Sequence, residues 1–138
     1  MKKLLLSIFA LTLFVGIAVA EEKCSLCGMK VDEGKRQYFV ITTKDGKRQK
    51  ACNEGCASMF MENVKKDLKS IEAVDYNTGS LIDANKAFYV KGSDVKPVMG
   101  GASVVSFTKK EDAEKFQKEH GGRVLSAAEL FKTAGHQH

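Results

Sequence analysis

Gln37-Tyr-Phe-Val-Ile-Thr-Thr43, Lys44-Asp-Gly-Lys47, Arg48-Gln-Lys-Ala51 and Cys52-Asn-Glu-Gly-Cys56 run without a break and decide how the first half of the chain is read. Residues 37–43 are dense in aromatic and β-branched side chains, which suit a half-buried pleated surface. The Asp-Gly pair supplies a hairpin turn, so residues 48–51 return as a second strand that delivers Cys52. Asn53 stands where a helix N-cap belongs. Beyond it Ala57, Phe60, Met61, Val64 and Leu68 recur at helical spacing, which predicts a helix over residues 54–68. Cys56 falls in the first turn of that helix, where the dipole favours a thiolate. A strand over 71–75 and a turn over 76–80 complete the half.

The same order recurs downstream without cysteines. Residues 87–91 read as a strand, 92–101 as a loop holding Pro97 and the pair Gly100-Gly101, and 103–107 as a second strand. Thr108 is the expected cap of a helix over 109–120 with Ala113 and Phe116 facing inward, ended by Gly121-Gly122 before a short strand at 123–125. Each half therefore reads β-β-α-β. The expected fold class is α+β, two small ββαβ units forming an internal repeat over residues 21–80 and 81–133. A short helix over 126–133 closes the second unit, and 134–138 form a flexible tail.

Ahead of the first unit, Lys2 and Lys3 precede an apolar run from Leu4 to Val15 that ends in Ala18-Val19-Ala20. This is the pattern of a cleaved secretory signal peptide over residues 1–20. The run is short for a membrane span, which needs about 20 apolar residues. Glu21-Glu22-Lys23 before Cys24 is no small-apolar lipobox, so a soluble, exported, periplasmic protein without a lipid anchor is expected. Without residues 1–20 the chain carries 20 basic and 17 acidic residues, a net charge of +3. The lysines are scattered among acids with no basic stripe, which disfavours nucleic-acid binding.

Cys24-Ser-Leu-Cys27, followed by Gly28-Met29, and Cys52-Asn-Glu-Gly-Cys56 are two close cysteine pairs. Thiolates bind soft ions such as Cu(I) and Zn(II), and two such pairs brought together can close a four-sulfur shell. In an exported chain two disulfides are the ordinary alternative. Bridges within such local pairs would close very small loops and remove little unfolded-state entropy. Thioethers suit Cu(I) and rarely bind zinc. Of the methionines beyond the signal, Met59 and Met61 read as helix packing, while Met99 in its glycine-flanked loop reads as a ligand and Met29 beside Cys27 as a further candidate. The expected metal residues are thus Cys24, Cys27, Cys52, Cys56, Met99 and Met29. His120 suits the end of its helix, and His136 and His138 are auxiliary candidates.

No Ser/His/Asp grouping or phosphate-cradling glycine loop is visible, so an enzyme is not expected. A thiol-disulfide exchange protein would place Cys-x-x-Cys between a strand and a helix; here Cys24 and Cys27 precede a hairpin.

Cys24 through Phe60, with Cys-x-x-Cys-Gly-Met, a hairpin and Cys-x-x-x-Cys-x-x-x-Phe, resembles the TRASH and YHS cysteine modules of metal-trafficking proteins. A longer set resembles the NosL family of copper accessory proteins for nitrous oxide reductase. It comprises Asp83-Ala-Asn-Lys-Ala-Phe-Tyr-Val90, Pro97-Val98-Met99-Gly100, Phe107, Asp112-Ala113-Glu114 and His120-Gly-Gly-Arg-Val-Leu125, with Cys27-Gly28-Met29. That resemblance implies paired ββαβ units, an exported Cu(I) metallochaperone, and Cys27 and Met99 as copper ligands. It also implies a copper-receiving partner, nitrous oxide reductase or its assembly machinery, and hence a place in denitrification. Three departures stand out: many members are lipoproteins, no nitrogen ligand adjoins Met99, and Cys52 with Cys56 exceeds the family's minimum. The last leaves room for a structural Zn(II) site of four cysteines serving protein interaction.

Overall fold

The computed structural model describes residues 23–134. The expected signal peptide, the tail residues 135–138 and, with them, His136 and His138 lie outside the described residues. Strands β1 (Phe39–Thr43) and β2 (Arg48–Ala51) form the antiparallel hairpin marked by Asp45-Gly46, with Phe39 opposite Ala51 and Thr42 opposite Arg48. Helix α1 (Glu54–Asn63) follows directly, capped as the sequence indicates by the Asn53 side chain, which accepts from the Cys56 amide. Strand β3 (Leu68–Val74) then pairs antiparallel with the other side of β1.

The second half repeats the plan with β5 (Phe88–Lys91), β6 (Val104–Phe107), α2 (Lys110–His120) and β7 (Arg123–Ser126), after a short strand β4 (Leu81–Asp83) that extends the first sheet. The sheet orders are β2-β1-β3-β4 and β6-β5-β7, so in each half the first strand lies between the second and third. The α+β class and the repeated ββαβ order are both borne out. The final helix α3 (Ala127–Ala134) packs against α1 of the first half.

Several elements differ from the sequence reading. Helix α1 stops at Asn63: Val64 closes the last turn onto the Phe60 carbonyl, and Leu68 is drawn into β3 opposite Thr43. Strand β4, absent from the reading, is only three residues long. Thr108 does not cap α2, whose N-cap is Lys109 without a side-chain bond. The Thr108 hydroxyl and amide instead donate to Asp75 Oδ2, at 2.6 and 2.8 Å.

That interaction joins the halves. Asp75, 3% exposed, also accepts from the amides of Asn77 and Thr78, and its backbone bridges to Ser106 of β6. The cores follow from strand alternation. Phe39 and Ile41 of β1 meet Ala57, Ile71, Tyr89 and Leu130 in a first core drawn from both halves. Val90, next to Tyr89 on β5, points the other way into a second core with Val105, Phe107, Ala113 and Phe116. Phe60 and Phe116, expected at matching helix positions, are both covered, Phe60 half-buried against the first core and Phe116 buried in the second. Gly122 has no substitute: its φ is +91°, and a Cβ there would lie 2.8 Å from the Lys91 carbonyl oxygen.

Candidate metal centre

A third, smaller cluster lies beyond the end of β2. Cys24, Val31 and Cys52 are buried there, with Leu26, Tyr38, Cys56, Val98 and Met99 packed around them. The Cys-x-x-Cys segment reaches this place through its backbone. The Cys24 amide donates to the Met29 carbonyl and the Gly28 amide to the Cys24 carbonyl, closing a tight loop with Gly28 at φ +74°. The Ser25 amide donates to the carbonyl of Lys50, and Cys24 bridges to Lys50, so the loop lies along the outer edge of β2. That edge ends two residues later at Cys52, and α1 brings Cys56 one turn further on.

The four Sγ atoms all lie within 4.8 Å of one another. Cys27 and Cys52 are 3.5 Å apart, and Cys52 and Cys56 3.7 Å apart. Sulfurs bound at ~2.3 Å to one tetrahedral ion would stand ~3.8 Å from each other. The cysteines are free thiols, and the shorter of these contacts joins the two pairs rather than staying within one. Cys24 and Cys52 are buried, Cys56 is half-buried and Cys27 is exposed, which leaves one face of the cluster open to solvent.

Met99 arrives from the loop between β5 and β6. Its Sδ lies 3.6 Å from Cys52 Sγ and 3.1 Å from Asn53 Nδ2. The loop is held at its base by the Gly92 amide on the Ser103 carbonyl, the Ser93 and Ser103 hydroxyls 2.9 Å apart, and His120 Nδ1 2.9 Å from the Asp94 carboxylate. Nearer its tip, the buried Gln37 amide donates to the Lys96 carbonyl. A cavity of about 220 Å³ beside Met99 is lined also by Asn53, Glu54, Lys91, Gly100 and Gly101.

Of the expected residues, the four cysteines and Met99 are brought together. Met29 is 43% exposed and enters the loop through its carbonyl. Met61 packs half-buried against the first core and Met59 is exposed. His120 closes α2, with its ring stacked on Phe116. Residue-by-residue reading missed Asn53 and Gln37 as parts of the site, and also Lys50. Lys50 is buried at 7% exposure, pairs with Glu33 and stands 5.4 Å from the Tyr38 ring centroid. Asn53 carried a signal only for its capping role.

The thiols differ electrostatically. Burial pushes the Cys24 thiol up, but the backbone amides of Cys27, Cys52 and Leu26 outweigh it and bring the group down to about 7. Burial raises Cys52 well beyond the ordinary thiol range, helped by its contact with Cys27. Cys56 is pushed up to about 12, again chiefly by burial. Cys24 is therefore poised as a thiolate, while Cys52 and Cys56 hold their protons until a cation replaces them.

Free thiols and a thioether, drawn from three distant segments onto one point of a paired ββαβ scaffold, define a soft-metal-binding protein. The chain belongs to the NosL family, whose family model matches residues 17–134. It is similar to the copper-binding lipoproteins NosL of Stutzerimonas stutzeri, at 48% identity over 52 residues, and of Achromobacter cycloclastes, at 40% over 52. In both cases the match takes in 38% of this chain and 27% of the relative, so the chain spans about a quarter of the length of the curated relatives it matches. The crystal structure of the copper chaperone NosL from Shewanella denitrificans has the same fold. It matches at a TM-score of 0.61 and 24% identity, over 75% of this chain and 85% of that one.

Proposed function

We propose that this chain is an exported copper(I)-binding accessory protein, a metallochaperone that holds Cu(I) in a low-coordinate thiolate/thioether site drawn from Cys24, Cys27, Cys52, Cys56 and, as the weaker ligand, Met99. The observation that carries the reading is the approach of Met99 to Cys52. A thioether adds little to a zinc site and is a favourable ligand for Cu(I). Exposed Cys27 gives an incoming ligand a point of attack, and displacement of Met99 then lets copper leave by ligand exchange rather than by full dissociation. The copper-receiving protein is nitrous oxide reductase or its assembly machinery, a reading supported by family membership. The role is one of carriage and not of catalysis.

The names of the curated relatives describe lipoproteins. Cys24 is 2% exposed and its sulfur belongs to the cluster, so a lipid thioether at that atom would remove it from the site. This supports a periplasmic protein released after cleavage of the signal, with no lipid on Cys24. Among the described residues no helix is long and apolar enough to cross a membrane.

A structural zinc module is the second reading, favoured by the closeness of all four cysteine sulfurs. Anaerobic titration of the exported chain with Cu(I) and Zn(II), followed by mass spectrometry of the intact complex, separates the two. The copper reading expects one Cu(I) that displaces zinc; one Zn(II) unmoved by excess Cu(I) would overturn it.

A further inference from the structure

We infer that Asn53 is a positioning residue of the copper site, a single side chain that caps α1 through Oδ1 and fixes the Met99 thioether through Nδ2. The inference rests on the copper reading above and assigns a role to a residue that cannot itself bind Cu(I) well.

The geometry leaves the amide one orientation. The Cys56 N–H donates at 2.8 Å to one end of the Asn53 side chain, so that end must be the oxygen. The other end is then the NH₂ group, and it faces Met99 Sδ at 3.1 Å. The cap thereby determines which atom meets the thioether. Asn53 lies between Cys52 and Cys56 in the sequence, so the same three residues that present two thiols also hold the sulfur arriving from the other half of the chain.

Such a contact has a use because the loop tip needs one. Its base is clamped at Ser93–Ser103 and Asp94–His120, but Met99 is followed by Gly100 and Gly101, the latter at φ +110°, and adjoins a cavity into which its flexible side chain can turn. Met99 Sδ stands 3.1 Å from the Asn53 amide nitrogen and 3.6 Å from the Cys52 sulfur. The thioether would thus already lie beside the Cys52 sulfur when copper replaces the thiol proton, and the amide contact keeps the side chain from swinging away. The ordering of a long side chain is thus completed before the metal arrives.

Asn53→Ser tests this, since serine is an equally good N-cap but is too short to carry a donor to Met99. In the metal-free exported chain with methyl-labelled methionine, NMR relaxation of the Met99 methyl should show a marked gain in motion, while the helical circular dichroism stays unchanged. Asn53→Asp, which also retains the cap and lacks the donor, should free the same methyl. Cu(I) affinity against a competing chelator should fall about three- to tenfold in Asn53→Ser. Zn(II) affinity should not change. Decisively, Asn53→Ser should cost nothing further in a Met99→Ala background, because the residue acts through Met99. An unchanged methyl signal would overturn the inference, and so would an affinity loss that persists without Met99. A native chain that binds no Cu(I) would instead remove the proposed function, while the methyl measurement would still report whether Asn53 holds Met99.

Discussion

Cys52 and Met99 stand 47 positions apart in the chain and 3.6 Å apart at their sulfurs. The first ends a strand hairpin of one ββαβ unit, and the second tips the loop of the other. The two halves therefore meet here at a small apolar cluster that also gathers soft sulfur ligands.

Met99→Ala follows from that contact. It should weaken Cu(I) binding several-fold and speed loss of copper to a competing chelator, with Zn(II) binding unchanged, because thioethers discriminate between the two ions. Chelator-competition kinetics with both metals check this. Equal effects on copper and zinc would make the contact structural.

Cys27→Ser removes the one exposed thiol. Its exposure predicts little change in thermal stability, while Cu(I) affinity should drop by at least roughly tenfold, in line with the sensitivity of metal sites even to their supporting groups. A melting curve alongside a copper competition titration separates the two effects.

Copper uptake should tighten as pH rises, because the buried thiols of Cys52 and Cys56, both raised, must release their protons to the solvent. Cys24, lowered to about 7, is already ionised above that pH and must also give up a proton below it. A plot of log affinity against pH should therefore steepen as pH falls past about 7. A single slope across neutrality would contradict a Cys24 thiol that ionises near 7 within the site.

Asp75 accepts four hydrogen bonds where the halves join. Asp75→Ala should cost about 3 kcal/mol of stability in chemical denaturation. Burial raises its carboxyl, but the Thr108 hydroxyl and the amides of Thr108, Thr78 and Asn77 outweigh this and hold it below the ordinary value of 3.8. For an acid lowered on folding, the stabilisation is complete above the unfolded value and is lost as pH falls through the folded one. Native protein should therefore lose stability below about pH 4 more steeply than the alanine variant.

Much of this was legible in local pattern. The Asp45-Gly46 turn, the alternation in β1 and the cap at Asn53 are short-range signals, and they located the hairpin, the helix start and both cysteines of the second pair. The repeat was legible because the second half carries the same signals in the same order. What escaped the sequence depends on contacts between distant segments. Leu68 continues the apolar spacing of α1, yet pairing with Thr43 of β1 takes it into a strand. Thr108 has the chemistry of a cap, but the buried carboxylate of Asp75 competes for it and wins. The second duty of Asn53 exists only because a loop 46 residues away folds back onto it.

X-ray absorption at the copper edge of the Cu(I)-loaded chain tests the central claim most directly. The account expects a first shell of sulfur alone, with fewer sulfur scatterers in Cys27→Ser and in Met99→Ala. A shell containing nitrogen or oxygen, or one that neither substitution alters, would contradict it.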